Sequence, residues 1–508
     1  MTTMLRFFAL LFLLAPIPAQ LKLGSLFQDH MVLQADKPIR IHGTSAPNGA
    51  VRVELAGKHT QVAADDQGVW RAELPALPPG GPYELVVDGN GALVVRDVWL
   101  GEVWVCSGQS NMWWPLEQTD QGNEAIAAAD HPQIRLFTVP QKTAQAAQTE
   151  VAGKWVACSP ETVRRFSAVA YWFGCALQKH RKVPIGLIHT SWGGTPAEAW
   201  TRPATLAKDP VLQPIVTRWE RIVDEWPKAK SAFDERLARW QEAAAAAKAK
   251  GEKEPPRPSA PPGPESPHRP GTLFHAMVAP LAGITIRGVI WYQGESNASR
   301  AWQYRTLFPA MIRDWREAFG QGDFPFLFVQ LASFRPAESA RAGWAELREA
   351  QLHTLRTVPN TGMAVAIDIG DSKDIHPRNK RDVGERLALA ARAVAYGEKV
   401  PGSGPLYRDH VREGRGMRVR FDSIGGGLEA RGGELKGFWI AGKDLRFVPA
   451  QARIDGEGVI VESPDVPEPA AVRYAFEADP VATLYNREGL PASPFRTDET
   501  PASTRDAR

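Results

Sequence analysis

GEVWVCSGQSNMWWP, residues 101–115, joins an apolar stretch to a small polar turn and then to two tryptophans. The apolar run 103–105 is typical of a buried strand, and Gly108 supplies backbone angles that end it. Ser110 follows at the carboxyl end of that strand. Ligands bind at this edge of open α/β sheets, so Ser110 is a candidate nucleophile. A helix N-cap is the alternative, because serine is favoured there.

The chain after residue 98 alternates apolar strands with helical patterns, as in a parallel sheet covered by helices. The predicted strands are 103–106, 185–189, 284–292, 326–331 and 363–367, and the predicted helices are 168–180, 304–319, 344–357 and 381–396. This order predicts a doubly wound α/β domain over residues 98–398.

Segments rich in β structure are predicted on both sides of this core. Period-two patterns at 39–43, 51–55, 69–74 and 83–87 predict an N-terminal β-sandwich over residues 20–97. The alternation returns at 417–421, 437–440 and 459–462, which predicts a C-terminal β-rich region over residues 399–508.

An insertion interrupts the α/β order at about residues 205–270. Residues 219–253 are rich in Ala, Glu, Lys and Arg and predict a charged helix. The proline-rich stretch 255–270 predicts an extended segment. The insertion is expected either to cover the active site or to decorate the surface.

The first 19 residues, MTTMLRFFALLFLLAPIPA, combine one arginine, an apolar run and a small final residue. This pattern is typical of a cleaved secretory signal peptide. The apolar run is well short of the roughly 20 residues that span a bilayer. We therefore expect an exported protein, periplasmic or extracellular, with no membrane association in its mature form.

Composition narrows the function classes further. Sixty Lys and Arg against 57 Asp and Glu give a formal net charge of +3, which argues against nucleic-acid binding. Three cysteines are too few for a disulfide framework, although export permits Cys158 and Cys175 to pair. Cys106 is expected to be a core residue. No metal-binding motif or clustered Cys and His spacing is present, so no metal is expected.

A serine nucleophile needs a base, a group that orients the base, and donors for the oxyanion. His376 is the candidate base, because it directly follows the last predicted strand of the core. Asp374 lies two residues earlier, so in an extended loop its carboxylate can reach the imidazole ring.

Two more loops offer oxyanion donors at the same sheet edge. SWGGT, residues 191–195, offers the N–H of Gly193 or Gly194. WYQGESN, residues 291–297, offers amide side chains, of which Gln293 is preferred and Asn297 is second.

GEVWVCSGQSNM, SWGGTPAEAW, WYQGESN and DIHPRNKRDVGERLA together closely resemble the sialate O-acetylesterase family, a branch of the SGNH hydrolases. LFQDHMVLQADKP and LYNREGLPASPFRTD are also similar, so the resemblance extends over nearly the whole mature chain. It implies an SGNH-type three-layer α/β/α core with a parallel sheet. It also implies a metal-independent serine esterase, without a cofactor, that removes acetyl groups from sugar hydroxyls.

The resemblance assigns Ser110 as nucleophile, His376 as base and Asp374 as third member of the triad. Many SGNH enzymes place the aspartate three residues before the histidine, where this chain has lysine, so Asp371 or Glu295 remain alternatives.

The remaining expectations concern the oxyanion and the substrate. The expected oxyanion donors are the backbone N–H groups of Ser110 and Gly194 and the amides of Gln293 and Asn297. The expected substrate-binding residues are Gln109, Asn111, Trp113, Trp192, Trp291 and Glu295, with Trp114 as a further stacking candidate.

O-acetylated sialic acid is the favoured substrate, and acetylated xylan or another acetylated polysaccharide is the alternative. A secreted carbohydrate-binding protein without activity is an alternative of another class. The intact Ser110, Asp374 and His376 disfavour it.

Overall fold

The computed structural model describes residues 20–507 of the 508-residue chain. The predicted signal peptide, residues 1–19, lies outside the described residues. Within residues 20–507, no helix combines the length and the hydrophobicity that a membrane span requires.

Seven strands form the N-terminal β region. They are β1 (Lys22–Leu23), β2 (Val32–Gln34), β3 (Ile39–Thr44), β4 (Ala50–Leu55), β5 (Lys58–Ala63), β6 (Val69–Leu74) and β7 (Gly80–Gly89). β1, β3 and β6 form one antiparallel sheet, whereas β4, β5 and β7 belong to another. Ile39 and Ile41 are buried while Arg40 between them is less so, as the period-two pattern predicts.

β8 (Gly91–Gly108) is an 18-residue strand that belongs to both the N-terminal region and the α/β core. Its first part pairs with β7, and its second part lies at the centre of the core sheet. Burial changes from alternating to continuous after Trp99, because both faces of the strand are covered from there onward. The predicted boundary between residues 97 and 98 therefore falls inside one continuous strand.

The core sheet contains six further strands: β9 (His131–Thr138), β10 (Trp155–Cys158), β11 (Ile185–Ser191), β12 (Gly288–Tyr292), β13 (Phe326–Gln330) and β14 (Thr361–Val365). Their order is β10-β9-β11-β8-β12-β13-β14, and every pair is parallel except β10 with β9. The predicted α/β class is confirmed, in a sheet that is mixed rather than purely parallel. β9 and β10 were not predicted; the first three residues of β9, His-Pro-Gln, lack the apolar pattern of a strand.

Nine helices accompany these strands: α1 (Ser110–Trp113), α2 (Gly122–Ala127), α3 (Pro160–Val163), α4 (Ala168–Arg181), α5 (Pro203–Ala207), α6 (Gln213–Lys250), α7 (Ala301–Phe319), α8 (Arg341–Thr357) and α9 (Arg381–Tyr396), counted over residues 20–507. α4 packs against α9, and α7 packs against α8. α6 begins six residues before the predicted insertion helix, with a proline in its first turn, and ends at Gly251 in the left-handed region. Residues 255–270 form neither helix nor strand, as predicted.

The C-terminal region is β-rich, as predicted. Its strands are β15 (Leu406–Glu413), β16 (Gly416–Asp422), β17 (Leu428–Ala430), β18 (Phe438–Ala441), β19 (Val448–Pro449), β20 (Gln451–Asp455), β21 (Gly458–Glu462), β22 (Ala471–Tyr474), β23 (Leu484–Asn486) and β24 (Phe495–Arg496). They form two four-stranded sheets and one two-stranded pair.

All three cysteines carry free thiols, so Cys158 and Cys175 are not joined in a disulfide. Cys106 is fully buried in β8, as expected of a core residue. Burial raises the pKa of the Cys175 thiol to about 12, which keeps this thiol protonated at neutral pH.

Trp291 lies in the core of the protein and not at a substrate-facing surface. All five residues of β12 are buried, and the Trp291 side chain has no exposed surface. Its ring makes edge-to-face contacts with Trp200 and Trp315, each with a centroid distance of 5.9 Å. The prediction that Trp291 stacks against a sugar is therefore wrong, because the strand is covered on both faces.

We expect Trp291→Ala to lower the free energy of unfolding by about 3–5 kcal/mol, because it empties a packed aromatic site. Trp113, which is 44% exposed, provides the matched control. Trp113→Ala is expected to change the free energy of unfolding by no more than about 0.5 kcal/mol. Urea unfolding followed by circular dichroism measures both values, and equal losses would contradict the assignment of Trp291 to the core.

Candidate active site

The chain turns sharply between β8 and α1, and this turn presents Ser110. Gly108 has φ +139°, and a Cβ at this position would lie 2.1 Å from the carbonyl oxygen of Tyr292. Only glycine allows so close an approach. The backbone N–H of Gln109 then donates to the same Tyr292 oxygen at 2.9 Å. Gln109 occupies the N-cap position of α1, so the Ser110 hydroxyl is not used as a cap.

Ser110 and His376 lie within hydrogen-bond distance of each other. The Ser110 Oγ and His376 Nε2 atoms are 2.9 Å apart, although the two residues are 266 positions apart in sequence. Trp114 stacks on the imidazole, with a centroid distance of 4.5 Å and an interplanar angle of 17°. The indole thus fixes the plane of the ring, and the hydroxyl and imidazole are placed as a nucleophile and its base require.

Of the three acids considered for the third position, Asp374 is beside the imidazole. Its Oδ1 atom is 3.6 Å from His376 Nδ1, which is longer than a normal hydrogen bond. The same oxygen accepts the backbone N–H of His376 at 2.8 Å. Asp371 instead accepts the backbone N–H of Lys373 at 2.8 Å, and Glu295 accepts a bond from Asn111. Asp374 therefore acts on the ring through its charge and by shaping the loop.

Asn111 joins the nucleophile turn to two other loops. Its Nδ2 donates to Glu295 Oε1 at 2.5 Å and to the carbonyl of Ile375 at 3.1 Å. Its Oδ1 accepts a bond from Lys380 Nζ at 2.5 Å. With all these groups engaged and only 1% of its surface exposed, Asn111 cannot contact substrate as predicted. One carboxyl oxygen of Glu295 accepts a hydrogen bond from Asn111, and the other is buried. Glu295 therefore also has a structural role and not the predicted role in substrate binding.

Lys380 is a buried amine close to the base. Burial lowers its pKa to about 7, with a smaller opposing effect from Glu295. Its Nζ lies 5.5 Å from the centre of the Tyr292 ring. Burial, followed by the Lys380 charge, lowers the pKa of His376, while the charge of Asp374 acts in the opposite direction. The site thereby favours the neutral imidazole, which is the form that accepts a proton.

The second loop packs directly against the nucleophile. A Cβ on Gly193 would lie 3.3 Å from the Ser110 Cβ. Gly194 has φ +75°, and no atom lies within 4 Å of the position of its missing Cβ. Within residues 20–507, the N–H groups of Ser110 and Gly194 donate to no backbone carbonyl. Both N–H groups are therefore available as hydrogen-bond donors.

Gln293 is committed to other contacts and is not available as an oxyanion donor. Its Nε2 donates to Asn297 Oδ1 at 2.7 Å and to the Thr195 carbonyl at 3.3 Å, and its Oε1 accepts from Tyr304 at 3.0 Å. The side chain is fully buried, so the prediction of an oxyanion role is wrong. Asn297 uses one of its two amide hydrogens, which it donates to Glu198 at 2.8 Å.

The other predicted residues differ in exposure. Gln109 is 3% exposed, and its Oε1 accepts long bonds from the N–H groups of Gly294 and Ser296, at 3.4 and 3.3 Å. Gln109 thus links the first and third loops. Trp113 is exposed and Trp192 is half-buried, so both remain accessible.

Two features of the site were not predicted from the sequence. Trp114 was considered only as a sugar platform, whereas its ring covers the imidazole. No role was predicted for Lys380, although it lies four residues after His376 within the motif DIHPRNK. Over residues 20–507, no group of three or more His, Cys, Asp or Glu side chains is arranged to hold a metal ion.

The sequence model of one carbohydrate esterase family, described as sialic acid-specific acetylesterase, matches residues 100–251 and 268–393. The chain belongs to this family. The match includes all four loops of the site and the whole of α6, and residues 252–267 lie between its two segments. This carbohydrate esterase family member is a carboxylic ester hydrolase.

Individual relatives agree with this assignment. The esterase is 34% identical to sialate O-acetylesterase of Mus musculus over 424 residues, 76% of this chain and 75% of the mouse protein. It is 33% identical to the Homo sapiens protein of the same name, over 76% and 73% of the two chains. The crystal structure of a novel carbohydrate acetylesterase from Xanthomonas citri, XAC1771, is 41% identical and superimposes with a TM-score of 0.80. The superposition covers 95% of this chain and 100% of the Xanthomonas citri chain.

We expect Lys380→Met to move the acidic limb of the pH profile of kcat/KM to higher pH. Lys380 lowers the pKa of His376, so removing the charge raises that pKa, and a higher pH is then needed for the neutral base. Acetate release measured from pH 4 to 9 locates the limb.

Arg378→Met is the matched control for this experiment. Arg378 lies two residues from His376, but its side chain is 62% exposed and pairs with Asp120 at 3.3 Å. Solvent screening makes its effect on the imidazole small. A limb that moves equally in both variants would contradict a specific effect of Lys380.

Proposed function

We propose that this esterase is exported and hydrolyses O-acetyl esters of carbohydrates through Ser110, His376 and Asp374. The observation that carries the proposal is the 2.9 Å contact between Ser110 Oγ and His376 Nε2, beside two open N–H groups. Export rests on the signal-peptide pattern of residues 1–19.

Acyl transfer then proceeds in two halves. The Ser110 oxygen forms a bond to the acetyl carbon as His376 Nε2 takes the hydroxyl proton, which gives a tetrahedral intermediate. The bond to the sugar oxygen breaks, and His376 returns the proton to that oxygen. Water repeats the sequence on the acetyl-enzyme, which releases acetate and restores Ser110.

The proposed oxyanion donors are the N–H groups of Ser110 and Gly194. Asn297, which was predicted as a further donor, is 1% exposed and already donates to Glu198 at 2.8 Å, so by the standard applied to Asn111 it is not proposed. Neither N–H group donates to a backbone carbonyl within residues 20–507. Each such donor contributes about 3 kcal/mol to lowering the barrier in other acyl-transfer enzymes.

We propose O-acetylated sialic acid as the substrate, because the family description and the mammalian relatives carry that name. An acetylated plant polysaccharide such as xylan is the second candidate. The observation in its favour is that the 41% identical protein is described only as a carbohydrate acetylesterase. Trp113 and Trp192 are the proposed stacking surfaces for either sugar, since both are accessible.

Ser110→Ala is expected to lower kcat for acetate release by about 10⁴-fold or more, because no other group takes the acetyl. The assay uses O-acetylated sialic acid and acetylated xylo-oligosaccharide with wild type and variant. Acetate release that survives the substitution would contradict the mechanism, and the better substrate of the wild type decides between the two sugars.

Asp374→Asn is expected to lower kcat/KM by about 10- to 100-fold, less than the about 10⁴-fold loss in a tightly bonded triad. The Asp374 carboxylate is 3.6 Å from the ring and half-exposed, so its charge acts weakly. Because this charge raises the pKa of His376, its removal moves the acidic limb to lower pH. Asp371→Asn, on the same loop but bonded only to backbone, is expected to leave the limb in place.

A further inference from the structure

A groove of about 460 Å³ lies next to the second and third loops of the site. This volume lies within the range of about 300–1,000 Å³ that is usual for small-ligand sites. Gly194 and Ser296, from the second and third loops, form one end of the groove. Gly193 precedes Gly194 and packs against Ser110, so the groove starts next to the position where the acetyl carbonyl is attacked.

Other lining residues of the groove come from the insertion. We call α6 together with residues 251–270 the arm. Arg218, Trp219 and Ile222 lie near the start of α6, and His268 lies on the returning segment, and all four border the groove. The arm thus reaches the site with residues from both of its halves.

The arm is a folded element, because its two halves pack together. Trp240 Nε1 donates to the carbonyl of Pro255 at 2.8 Å. Gly263 passes so close to Trp226 that a Cβ there would lie 2.1 Å from the indole nitrogen. Trp219 is only 7% exposed and anchors α6 to the core. The groove wall is therefore preformed, which lowers the entropy cost of binding.

Polar groups in the groove are held in place by Glu198, which is 1% exposed. Its Oε1 accepts from Arg300 Nη2 at 2.5 Å and from Arg218 Nη2 at 3.3 Å. Two guanidinium groups share one carboxylate oxygen, and each retains further N–H donors. Ile222 adds an apolar surface beside them. Oriented donors next to an apolar surface suit a pyranose, which presents hydroxyls at its rim and C–H groups on its faces.

We infer that this groove binds the sugar bearing the acetyl ester, and that Arg218, Ile222 and His268 of the arm determine which sugar is accepted. The inference rests on the proposed function: if the acetyl group is bound at Ser110, the alcohol part of the ester must extend beyond the second and third loops. The groove borders both of those loops and has room for that part.

Ile222→Trp tests the inference by filling the groove. Two esters are compared: the acetylated sugar that the wild type hydrolyses, from the pair named above, and ethyl acetate, whose two-carbon alcohol lacks the ring and hydroxyls that the groove is proposed to bind. The ratio of kcat/KM for the sugar to kcat/KM for ethyl acetate is expected to fall by about tenfold or more, mainly through KM.

Val223→Trp is the matched control, since it adds the same ring at the next position of α6. Val223 borders a different groove, formed with Ala144 and His275. The control is expected to keep the wild-type ratio. Thermal melting establishes that both variants are folded, and His268→Ala, an exposed truncation, is a second test with an expected loss of about threefold in the ratio.

An unchanged ratio in both Ile222→Trp and His268→Ala would overturn the inference, as would an equal loss in Val223→Trp. These outcomes differ from a failure of the proposed function. That failure would appear in the wild type, as no acetate released from either sugar or from ethyl acetate.

Discussion

The close contact between the Gly108 backbone and the Tyr292 carbonyl is the constraint on which the site depends. It brings the end of β8 against the end of β12 and forces the chain into α1 at Ser110. Every other loop is placed relative to this turn. The second loop packs on the Ser110 Cβ, and Asn111 binds the loops that carry Glu295 and His376. A side chain at residue 108 would separate the two strands and shift all of these contacts.

The electrostatics of the base follow from the same packing. Lys380 enters the interior because Asn111 offers it an acceptor, and there its charge opposes protonation of His376. Asp374, at 3.6 Å and half-exposed, compensates only in part. The imidazole is therefore oriented by two elements, the Trp114 ring and the loop around Asp374. In a tightly bonded triad, a single carboxylate orients the ring.

Much of this arrangement is predictable from sequence. Apolar periodicity predicts five of the seven core strands, all but β9 and β10, and it predicts α9 with identical bounds. The loops after those strands contain the candidates Ser110, Gly194 and His376. Two of the wrong predictions have different physical causes. Gln293 is occupied by Thr195 and Tyr304, which are distant in the chain or on the next helix, and such partners leave no local signal. Trp291 was misplaced because a strand buried on both faces has no period-two pattern to separate core from surface.

β8 also bears on how the molecule unfolds. Its hydrogen bonds are divided between the N-terminal strands and the core sheet, so the same 18 residues belong to two sheets. Fraying of the N-terminal region would remove the partners of residues 91–101 of β8, which directly precede the part that pairs with β11 and β12. One continuous strand thus links the N-terminal β region to the hydrolase core, so local opening of that region would extend as far as residue 101, where the pairing with β11 and β12 takes over.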